Sequence, residues 1–586
     1  MRLALVALNP TVGDVDRNAE SIRAAVAEAG SAGADLVVFP ELAITAYPPR
    51  DLFLQHGFAE RCREVVLSLA RDLPPGLTAV VGTPWRPPLG RDGEAEPDAF
   101  DARAPLTNSL MVLRHEGPVA RHDKRLLPDY DVFDEPRYFR AGSRAVVVEV
   151  AGVRTGLAVC EDFWKGDDAR NHDRYRGMAD PIEELKAANA ELVVLSSASP
   201  FIEGKSAMQS RILAETAGRT GLAIAAVNMA GANDDLIFDG HAAVYVPPAG
   251  GRGGAGRVVA VSPPFGAGTL HAELPAEVSR WVDLPALDDP WLKADPERLL
   301  FDALVTGVRD YARKTGMLTA TLGVSGGIDS ALVATLAAAA IGGGEVLGVT
   351  LPSRYSSDHS LADADELGRR LGMPVVSYPI EAAHDVFERT LRETFDGLGL
   401  SNEPGVTEEN VQSRIRGLAM MALSNKSGRL LLTTGNKSEH AVGYATLYGD
   451  QNGGLAPIAD VLKTDCYRLA RYINDRHAEL GFARPPIPEN TIAKPPSAEL
   501  RPGQTDQDTL PPYEELDSVI ALYVDEARSV GEIVAETGFA ETMVREIVRK
   551  IDLAEYKRFQ LCVALKMRPR AFGPGRRWPI VAKPGR

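Results

Sequence analysis

Apolar runs and amphipathic runs alternate along the first half of the chain. Eight apolar runs of four to six residues have the length of buried strands: 3–8, 36–39, 78–82, 109–113, 154–159, 192–195, 223–227 and 243–246. Between them lie runs whose apolar residues recur every three or four positions, which predicts helices at 18–32, 182–190 and 206–217. Strands that alternate with helices in this way predict an α/β layer domain.

The second half of the chain has a regular order of helices and strands. After a helix predicted at 298–315, three strands alternate with two helices, and the five segments are 319–324, 330–340, 345–351, 358–371 and 375–380. This order predicts a doubly wound parallel sheet, that is, a Rossmann-like fold. Ligands of such sheets bind beyond the carboxyl ends of the strands, so a site is expected directly after 319–324.

A segment rich in proline and acidic residues joins the two halves. Three prolines fall between positions 284 and 296, where they disfavour the interior of a helix or a strand. A chain of 586 residues is also too long for one ordinary core. We therefore predict one domain at 1–284, a linker at 285–297 and a second domain at 298–586.

Charge and cysteine content narrow the class of protein. The net charge of −16 argues against a general nucleic-acid binder. The four cysteines, Cys62, Cys160, Cys466 and Cys562, are too widely spaced for a disulfide framework or a zinc site. The chain opens without a secretory signal and has no apolar run long enough to span a membrane. We expect a cytoplasmic enzyme for small molecules, with no nucleic-acid or membrane partner.

A glycine-rich octet lies where the first strand of the second half should pass into a helix. It consists of Gly323, Val324, Ser325, Gly326, Gly327, Ile328, Asp329 and Ser330. Glycines let the backbone approach a ligand closely, and the start of a helix presents free N–H groups to an anion. Asp329 would repel phosphate unless a cation lay between them, which indicates Mg²⁺. The octet is not a Walker A loop, and from its residues alone an ordinary βα turn is equally consistent.

Three polar residues of the first half stand at strand ends or in loops. Glu41 follows the strand at 36–39, Lys124 lies in a His-Asp-Lys-Arg run, and Cys160 ends the strand at 154–159. A cysteine that attacks an amide needs a base for its proton and a positive donor for the oxyanion, and Glu41 and Lys124 can supply them. Considered singly, a core cysteine and two solvated charges would look the same.

The motifs around these three residues resemble the nitrilase, or carbon–nitrogen hydrolase, family. The motifs are Phe-Pro-Glu-Leu at 39–42, the tract at 127–135 that follows Lys124, and Cys-Glu-Asp-Phe-Trp at 160–164. The resemblance implies an α-β-β-α sandwich with Glu41 as general base, Lys124 as the lysine of the triad and Cys160 as nucleophile.

Two further tracts resemble the glutaminase members that are fused to a synthetase. They are Tyr-Asp-Val-Phe-Asp-Glu at 130–135 and Ser-Pro-Phe-Ile-Glu-Gly-Lys at 199–205. The resemblance implies that Tyr130, Ser199 and Lys205 hold L-glutamine. Because a zwitterion also needs a carboxylate partner for its amino group, Glu135 is a candidate for that contact.

The octet resembles the pyrophosphate-binding loop of the ATP pyrophosphatase family, and most of 298–580 resembles NAD⁺ synthetase. Together the two halves follow the order of the glutamine-dependent NAD⁺ synthetases. The resemblance implies ATP-dependent amidation of deamido-NAD⁺ with ammonia from L-glutamine, through an adenylated nicotinate, with release of AMP, pyrophosphate and glutamate. It also implies a homo-oligomer with an enclosed ammonia channel.

The same resemblance assigns residues of the second half to ligands. For ATP it implies the octet together with Thr434, Lys463 and Ser497. For deamido-NAD⁺ it implies Asn410, Arg414, Glu439 and Lys557. For Mg²⁺ it implies the carboxylates of Asp329 and Glu439. Two other functions stay open at this point, namely a glutamine-dependent ligase for another nucleotide and a non-catalytic scaffold.

Overall fold

The chain divides into two compact units, Met1–Pro296 and Glu297–Arg586. The structure is a computed structural model, and it describes residues 1–87, 98–165, 174–249 and 254–582. The predicted linker at 285–297 contains a short helix whose Trp291 is 1% exposed and donates its indole N–H to the Ser262 carbonyl oxygen, 3.1 Å away. That segment therefore packs on the first unit instead of hanging free, while the domain boundaries themselves stay a prediction.

The first unit is built from two six-stranded sheets and a small hairpin. Its strands are β1 (Arg2–Ala7), β2 (Leu36–Val38), β3 (Thr78–Trp85), β4 (Thr107–Arg114), β5 (Gly117–Asp123), β6 (Val147–Val150), β7 (Val153–Val159), β8 (Leu192–Ser197), β9 (Ala223–Asn228), β10 (Ala230–Asn233), β11 (Leu236–Asp239), β12 (Ala242–Val246), β13 (Arg257–Val261) and β14 (Gly268–Glu273). One sheet has the order β14-β1-β2-β3-β4-β5, the other β13-β12-β9-β8-β7-β6, and β10 pairs with β11.

Helices cover the outer face of each sheet. They are α1 (Val15–Ser31), α2 (Phe58–Asp72), α3 (Pro181–Ala187), α4 (Lys205–Thr220) and α5 (Pro290–Lys293). Successive residues of β1 point to opposite faces, so Leu3 and Leu5 join the core between the sheets while Ala4 and Val6 pack toward α1 and α2. The arrangement confirms the predicted α-β-β-α sandwich.

The second unit is built on a four-stranded parallel sheet of order β17-β16-β15-β18. The four strands of the sheet are β15 (Ala320–Gly323), β16 (Val346–Thr350), β17 (Val375–Ser377) and β18 (Leu430–Leu431). Two further strands of the unit, β19 (Leu455–Ala456) and β20 (Val563–Ala564), pair with each other. The sheet confirms the doubly wound fold class, and β17 is shorter than the predicted strand at 375–380.

Helices flank this sheet and form a further core near the end of the chain. They are α6 (Pro296–Thr315), α7 (Ile328–Ile341), α8 (Asp358–Leu371), α9 (Glu381–Leu398), α10 (Val406–Ser427), α11 (Lys437–Val442), α12 (Lys463–Asp475), α13 (Glu489–Ala493), α14 (Tyr513–Ile520), α15 (Val530–Thr537), α16 (Glu541–Leu553) and α17 (Glu555–Arg558). Apolar faces of α14 and α16 meet in the further core, where Leu516 and Ile547 are buried.

Candidate active sites

Cys160 stands at the point where β7 turns into a short 3₁₀ helix, Cys160–Phe163. Its φ of 41° lies in the left-handed region, which side chains other than glycine rarely adopt and which clusters at functional sites. The residue is 6% exposed. Burial raises the pKa of the Cys160 thiol well above its usual value, and the Glu41 charge raises it further, while the Lys124 charge acts in the opposite direction. The group therefore rests as a thiol and needs a base before it can attack.

Lys124 follows β5 and lies between two buried carboxylates. Its Nζ is 2.7 Å from Glu41 Oε1 and 2.8 Å from Glu135 Oε1, and all three side chains are at most 3% exposed. Burial opposes the charged lysine, but the two carboxylates outweigh it and raise the pKa of Lys124 well above its usual value. Two of the three ammonium N–H groups are thus used, which leaves the third for an oxyanion.

Glu41 is fixed by three donors at once. Besides Lys124, the amide of Asn108 donates to Glu41 Oε1 at 2.6 Å and the Ala198 N–H donates to Oε2 at 2.9 Å. The carboxylate is 1% exposed, and its charge reaches the Cys160 thiol. A carboxylate that is held in one orientation and whose charge acts on the thiol can serve as a general base.

Glu135 lies in the buried cluster around Lys124. Its Oε1 accepts hydrogen bonds from Lys124 and from the Tyr47 hydroxyl, the latter at 3.1 Å. Burial and the nearby Glu41 charge raise its pKa to about 7, although Lys124 acts against that rise. Its expected contact with the amino group of glutamine stays a prediction, since its Oε2 is buried and has no hydrogen-bond partner among the described residues. The carboxylate belongs to the lysine cluster because 3₁₀ backbone at Glu135–Arg137 turns it inward.

The three residues expected to hold glutamine surround the same turn. Tyr130 donates its hydroxyl to both carboxylate oxygens of Glu161 at 3.1 Å. The Ser199 N–H and carbonyl are clamped by the Asn228 side chain at 2.8 and 2.9 Å. Lys205 begins α4, and its charge reaches the Cys160 thiol together with that of Glu161.

Glu161 was missed by reasoning from sequence. It follows the nucleophile, is 3% exposed and also accepts the Tyr175 hydroxyl at 2.6 Å. Burial raises the pKa of this carboxyl, although its hydroxyl partners and nearby lysines favour the charged form. Its place in the Cys-Glu-Asp-Phe-Trp motif was the available signal, since a carboxylate next to the nucleophile can meet the amino group of a zwitterion.

A cavity of about 450 Å³ opens at the carboxyl ends of β15 and β16 in the second unit. All members of the octet except Gly326 line it. Gly326 makes the turn, with φ of 77° and no room for a side chain, because an added Cβ would lie 2.5 Å from the Ser360 carbonyl oxygen. The loop thus leads directly into α7, whose first residues, Ile328, Asp329 and Ser330, line the cavity, and the start of a helix is a site that suits an anion.

Lys463 lies between two carboxylates on the wall of this cavity. Its Nζ is 2.5 Å from Asp329 Oδ2 and 3.1 Å from Glu439 Oε1. Burial disfavours the charged lysine, but both carboxylates outweigh this effect and raise the pKa of Lys463 well above its usual value. Burial raises the pKa of Glu439 to about 8, with Lys463 acting against the rise and Asp329 adding to it.

The two carboxylates also accept hydrogen bonds from one residue, Asn436. The Asn436 side-chain amide donates to Asp329 Oδ1 at 3.0 Å. The Asn436 backbone N–H donates to Glu439 Oε2 at 3.3 Å in a capping box at the start of α11. Hard oxygen donors of this kind suit Mg²⁺, which typically takes one or two carboxylates and completes its shell with phosphate and water. Among the described residues no three His, Cys, Asp or Glu side chains come close enough to hold a metal, so phosphate would have to supply further ligands.

Most of the other ligand residues predicted for the second half line the cavity. They are Thr434, Ser497, Asn410, Glu439 and Lys557. Several are held in place by neighbours: the Asn410 side chain accepts the Thr446 hydroxyl at 2.8 Å, and the Lys557 ammonium donates to the carbonyls of Gly443 and Ala445 at 2.7 Å.

Arg414 is the exception. It is exposed, donates to the Leu447 carbonyl at 3.2 Å and does not line the cavity, whereas Arg416 does. Two residues along a helix turn through about 200°, so Arg414 and Arg416 of α10 face opposite sides. The assignment of Arg414 to deamido-NAD⁺ stays a prediction, and Arg416 is the one of the two that lines the cavity.

Two cavity cations were therefore not assigned from the sequence. Arg416 donates to the Leu351 carbonyl at 3.0 Å, and burial lowers its pKa to about 10. Lys494 is 2.6 Å from the Ser360 hydroxyl and 2.7 Å from a Glu499 carboxylate oxygen. Both stand at motifs that resemble NAD⁺ synthetase, so their neighbourhood was recognised although their roles were not.

Comparison with known proteins identifies both halves. The carbon–nitrogen hydrolase model matches residues 2–282, and the NAD synthase model matches residues 300–561. Among curated relatives, the glutamine-dependent NAD(+) synthetase of Synechocystis is 40% identical over 580 residues, which cover 99% of this chain and 98% of the relative. That of Thermotoga maritima is 38% identical over 613 residues, with 99% and 98% covered.

Solved structures agree over the same span. A glutamine-dependent NAD+ synthetase from Acinetobacter baumannii, solved in complex with adenosine diphosphate, is 32% identical with a TM-score of 0.71 and covers 99% of this chain and 98% of its own. A synthetase from Cytophaga hutchinsonii, 21% identical with a TM-score of 0.78 and the same coverage, supports the fold alone. Among the described helices, none is long and apolar enough to cross a membrane.

Proposed function

The chain belongs to the glutamine-dependent NAD⁺ synthetases, and we propose that its two sites divide the reaction between glutamine hydrolysis and amidation. The enzyme amidates deamido-NAD⁺ to NAD⁺ at the expense of ATP, with L-glutamine as nitrogen donor. The observation that supports the division is that each unit buries its own lysine between two carboxylates, one beside Cys160 and one on the wall of a cavity.

In the first site Glu41 removes the proton of Cys160, and the thiolate attacks the side-chain amide carbon of glutamine. The third N–H of Lys124 stabilises the oxyanion, and Glu41 returns the proton to the departing nitrogen, which leaves as ammonia. The resulting thioester is cleaved by water to glutamate and free thiol. The raised pKa of Cys160 makes the base necessary, since little thiolate is present at rest.

Glutamine itself is held by groups of both charges. Lys205 and Ser199 face its carboxylate, while Glu161, which Tyr130 and Tyr175 hold in place, faces its amino group. This proposal adds Glu161 to the expected Glu135, whose Oε1 is engaged by Lys124 and Tyr47 while its Oε2 has no hydrogen-bond partner among the described residues.

In the second site the carboxylate of the nicotinate moiety attacks the α-phosphate of ATP and pyrophosphate leaves. Ammonia then displaces AMP from the mixed anhydride to give the amide. The octet holds the phosphates, together with Thr434 and Ser497, and Lys463 offsets the charge that develops on them. Asn410, Lys557 and Arg416 serve the dinucleotide side of the cavity.

Magnesium, when bound, would be held by Asp329 and Glu439 and would supply positive charge next to the phosphates. We also propose that ammonia passes between the sites in an enclosed channel, that the enzyme is a homo-oligomer and that it works in the cytoplasm. The full-length likeness to synthetases favours this function over the two alternatives, a ligase for another nucleotide and a scaffold.

One assay tests the proposal. Purified protein is given ATP, Mg²⁺ and deamido-NAD⁺ with either glutamine or ammonium, and NAD⁺, AMP, pyrophosphate and glutamate are measured. We expect NAD⁺ and AMP in equal amounts with both nitrogen sources, and glutamate with glutamine only. Formation of ADP in place of AMP, or NAD⁺ formation that needs no ATP, would contradict it.

A further inference from the structure

Asp162 is a fully buried carboxylate two residues after the nucleophile, and nothing in the reaction described above uses it. It is 0% exposed and accepts four hydrogen bonds. The N–H groups of Arg125 and Leu126 reach Oδ1 at 2.9 and 3.0 Å. The Val159 N–H and the His122 Nε2 reach Oδ2 at 3.0 and 3.1 Å.

These four donors come from two separate segments that carry the catalytic groups. Val159 directly precedes Cys160, so one branch of the carboxylate fixes the turn that holds the nucleophile. His122, Arg125 and Leu126 lie on either side of Lys124, so the other contacts fix the segment that presents the ammonium. We propose that Asp162 is a positioning residue for glutamine hydrolysis, whose single carboxylate sets Lys124 against Cys160. The inference rests on the proposed glutaminase function of this site.

The chemistry of the four donors requires a carboxylate. Asp162 stays ionised because His122 and the backbone N–H groups outweigh the effect of burial and lower its pKa. Both oxygens accept two hydrogen bonds each, and an ionised carboxylate can do so because it carries no donor. An asparagine in its place would turn an NH₂ group toward either the Arg125 and Leu126 N–H groups or the Val159 N–H. One of the two segments would then lose its anchor whichever way the amide were oriented.

The rate of glutamine hydrolysis should also be sensitive to the spacing of the two segments, because both catalytic groups have little freedom to adjust. The backbone of Cys160 is held at a φ of 41°, which the turn must maintain, and Asp162 lies in that turn. Lys124 has little freedom, since Glu41 and Glu135 hold its Nζ at 2.7 and 2.8 Å. A shift of about 1 Å between reacting groups can cost on the order of a hundred-fold in rate.

The test compares Asp162→Asn with Asp289→Asn, a matched control in the same unit. Asp289 is also buried and accepts the Trp291 N–H at 2.9 Å and the Tyr245 hydroxyl at 3.2 Å, but it contacts neither segment. For both variants three quantities are measured: NAD⁺ formation from glutamine and from ammonium, the thermal unfolding midpoint, and the rate at which iodoacetamide alkylates Cys160 at several pH values.

For Asp162→Asn we expect glutamine hydrolysis to fall about a hundred-fold in kcat with a smaller change in KM, while ammonium-driven synthesis is kept. Because the spacing between Lys124 and the thiol increases, the pH profile of alkylation should shift upward by on the order of one pH unit. Asp289→Asn should leave both the hydrolysis rate and the alkylation profile unchanged. A role in folding alone would lower the melting temperature without moving the alkylation profile of the folded protein, and that result would overturn the proposal.

A second pair of variants keeps the test decisive where Asp162→Asn does not fold. His122→Leu removes one donor to Asp162, whereas His122→Gln keeps an N–H that can reach it. We expect a partial loss of glutamine hydrolysis in the first variant and its recovery in the second, and equal activity in the two would contradict the proposal. Absence of Cys160-dependent glutamine hydrolysis in the unaltered enzyme would instead refute the glutaminase function itself.

Discussion

Each unit of this synthetase buries a lysine between two carboxylates, and the two clusters differ in how closed they are. Around Lys124 the partners Glu41 and Glu135 are 1% and 3% exposed, at 2.7 and 2.8 Å. Around Lys463 the partners Asp329 and Glu439 are each 17% exposed, at 2.5 and 3.1 Å. The first cluster is sealed around a nucleophile, and the second forms part of a cavity wall.

This difference indicates two uses of the same chemistry. In the sealed cluster the carboxylates are also held by Asn108, the Ala198 N–H and Tyr47, so we expect the charges to stay in place and act on the thiol and its oxyanion. In the open cluster a ligand that carries phosphate and a cation can compete for Lys463 and for the carboxylates, so we expect partners to exchange when substrate binds. We therefore expect the sealed cluster to keep its contacts during the reaction and the open cluster to bind substrate.

The largest expected effect separates the two sites completely. Cys160→Ala should reduce NAD⁺ formation from glutamine by on the order of 10⁴-fold or more, because no covalent intermediate can form. Formation from ammonium should be unchanged. Both rates are measured by NAD⁺ production, with Cys562→Ala, which alters a cysteine of the other unit, as control. Equal loss with both nitrogen sources in a folded variant would show that the sites are not separate.

Asp329→Asn should act on the open cluster alone. We expect NAD⁺ formation from glutamine and from ammonium to fall together by about 10²–10³-fold, since one charged contact to the phosphate region is lost. Asp475→Asn, at the exposed end of α12, is the control. The measurement is ammonium-driven turnover at rising Mg²⁺ concentrations. Turnover close to that of the unaltered enzyme would remove Asp329 from the mechanism.

Removing each lysine in turn tests whether the sealed and the open cluster differ in function and in stability. Lys124→Met should lower glutamine hydrolysis by about 10²–10³-fold and leave ammonium-driven synthesis intact. Lys463→Met should lower synthesis from both nitrogen sources. Breaking a fully buried ion pair costs about 3–5 kcal/mol, so Lys124→Met should also be the more destabilising of the two in thermal unfolding.

The control for these variants is Lys186→Met, which removes a half-buried lysine from α3. It should change neither rate. If Lys463→Met destabilised the protein more than Lys124→Met, the contrast in burial would not govern the energetics. If Lys124→Met hydrolysed glutamine within a few-fold of the normal rate, Lys124 would have no part in catalysis.

Motifs in the sequence predicted the residues of the clusters but not the contacts between them. Glu41, Lys124 and Cys160 each follow a strand, and their motifs joined them before any distance was known. What could not be read was which lysine contacts which carboxylates, because only the folded chain brings Glu135 against Lys124 and Lys463 against Asp329, 134 positions apart. Sequence spacing fixes neighbours along a helix or a strand but not contacts across the fold.

The fold shows the same limit. Strands with continuous apolar runs were predicted, whereas β14 was missed because its residues are half exposed and mixed in polarity. It pairs with β1 across more than 260 residues, from Arg2 with Glu273 to Ala7 with Gly268. On α10 the predicted helix is present, but its pattern did not show that Arg416 lines the cavity, because amphipathic register does not reveal which polar face a cavity takes.

The smallest expected effect concerns pH, and it tests whether burial raises the pKa of Glu135 in the sealed cluster. Burial raises the pKa of Glu135 to about 7, whereas an unfolded glutamate titrates near 4.3. Between these values the folded state binds the proton more tightly than the unfolded state, so this residue's contribution to stability is fully present below about pH 4 and is lost as pH rises to about 7.

Glu135→Gln removes that titration. We therefore expect the drop in melting temperature between pH 5 and pH 7.5 to be smaller in Glu135→Gln than in the unaltered enzyme, by on the order of a few degrees. Glu439→Gln should likewise flatten the fall in melting temperature, over a range that extends to about pH 8, since the pKa of Glu439 is raised to about 8. Melting curves for the three proteins across pH 5 to 9 decide the matter. Parallel curves for the unaltered enzyme and Glu135→Gln would show that Lys124 and Tyr47 keep this carboxylate fully ionised, and that the sealed cluster holds two negative charges around one lysine.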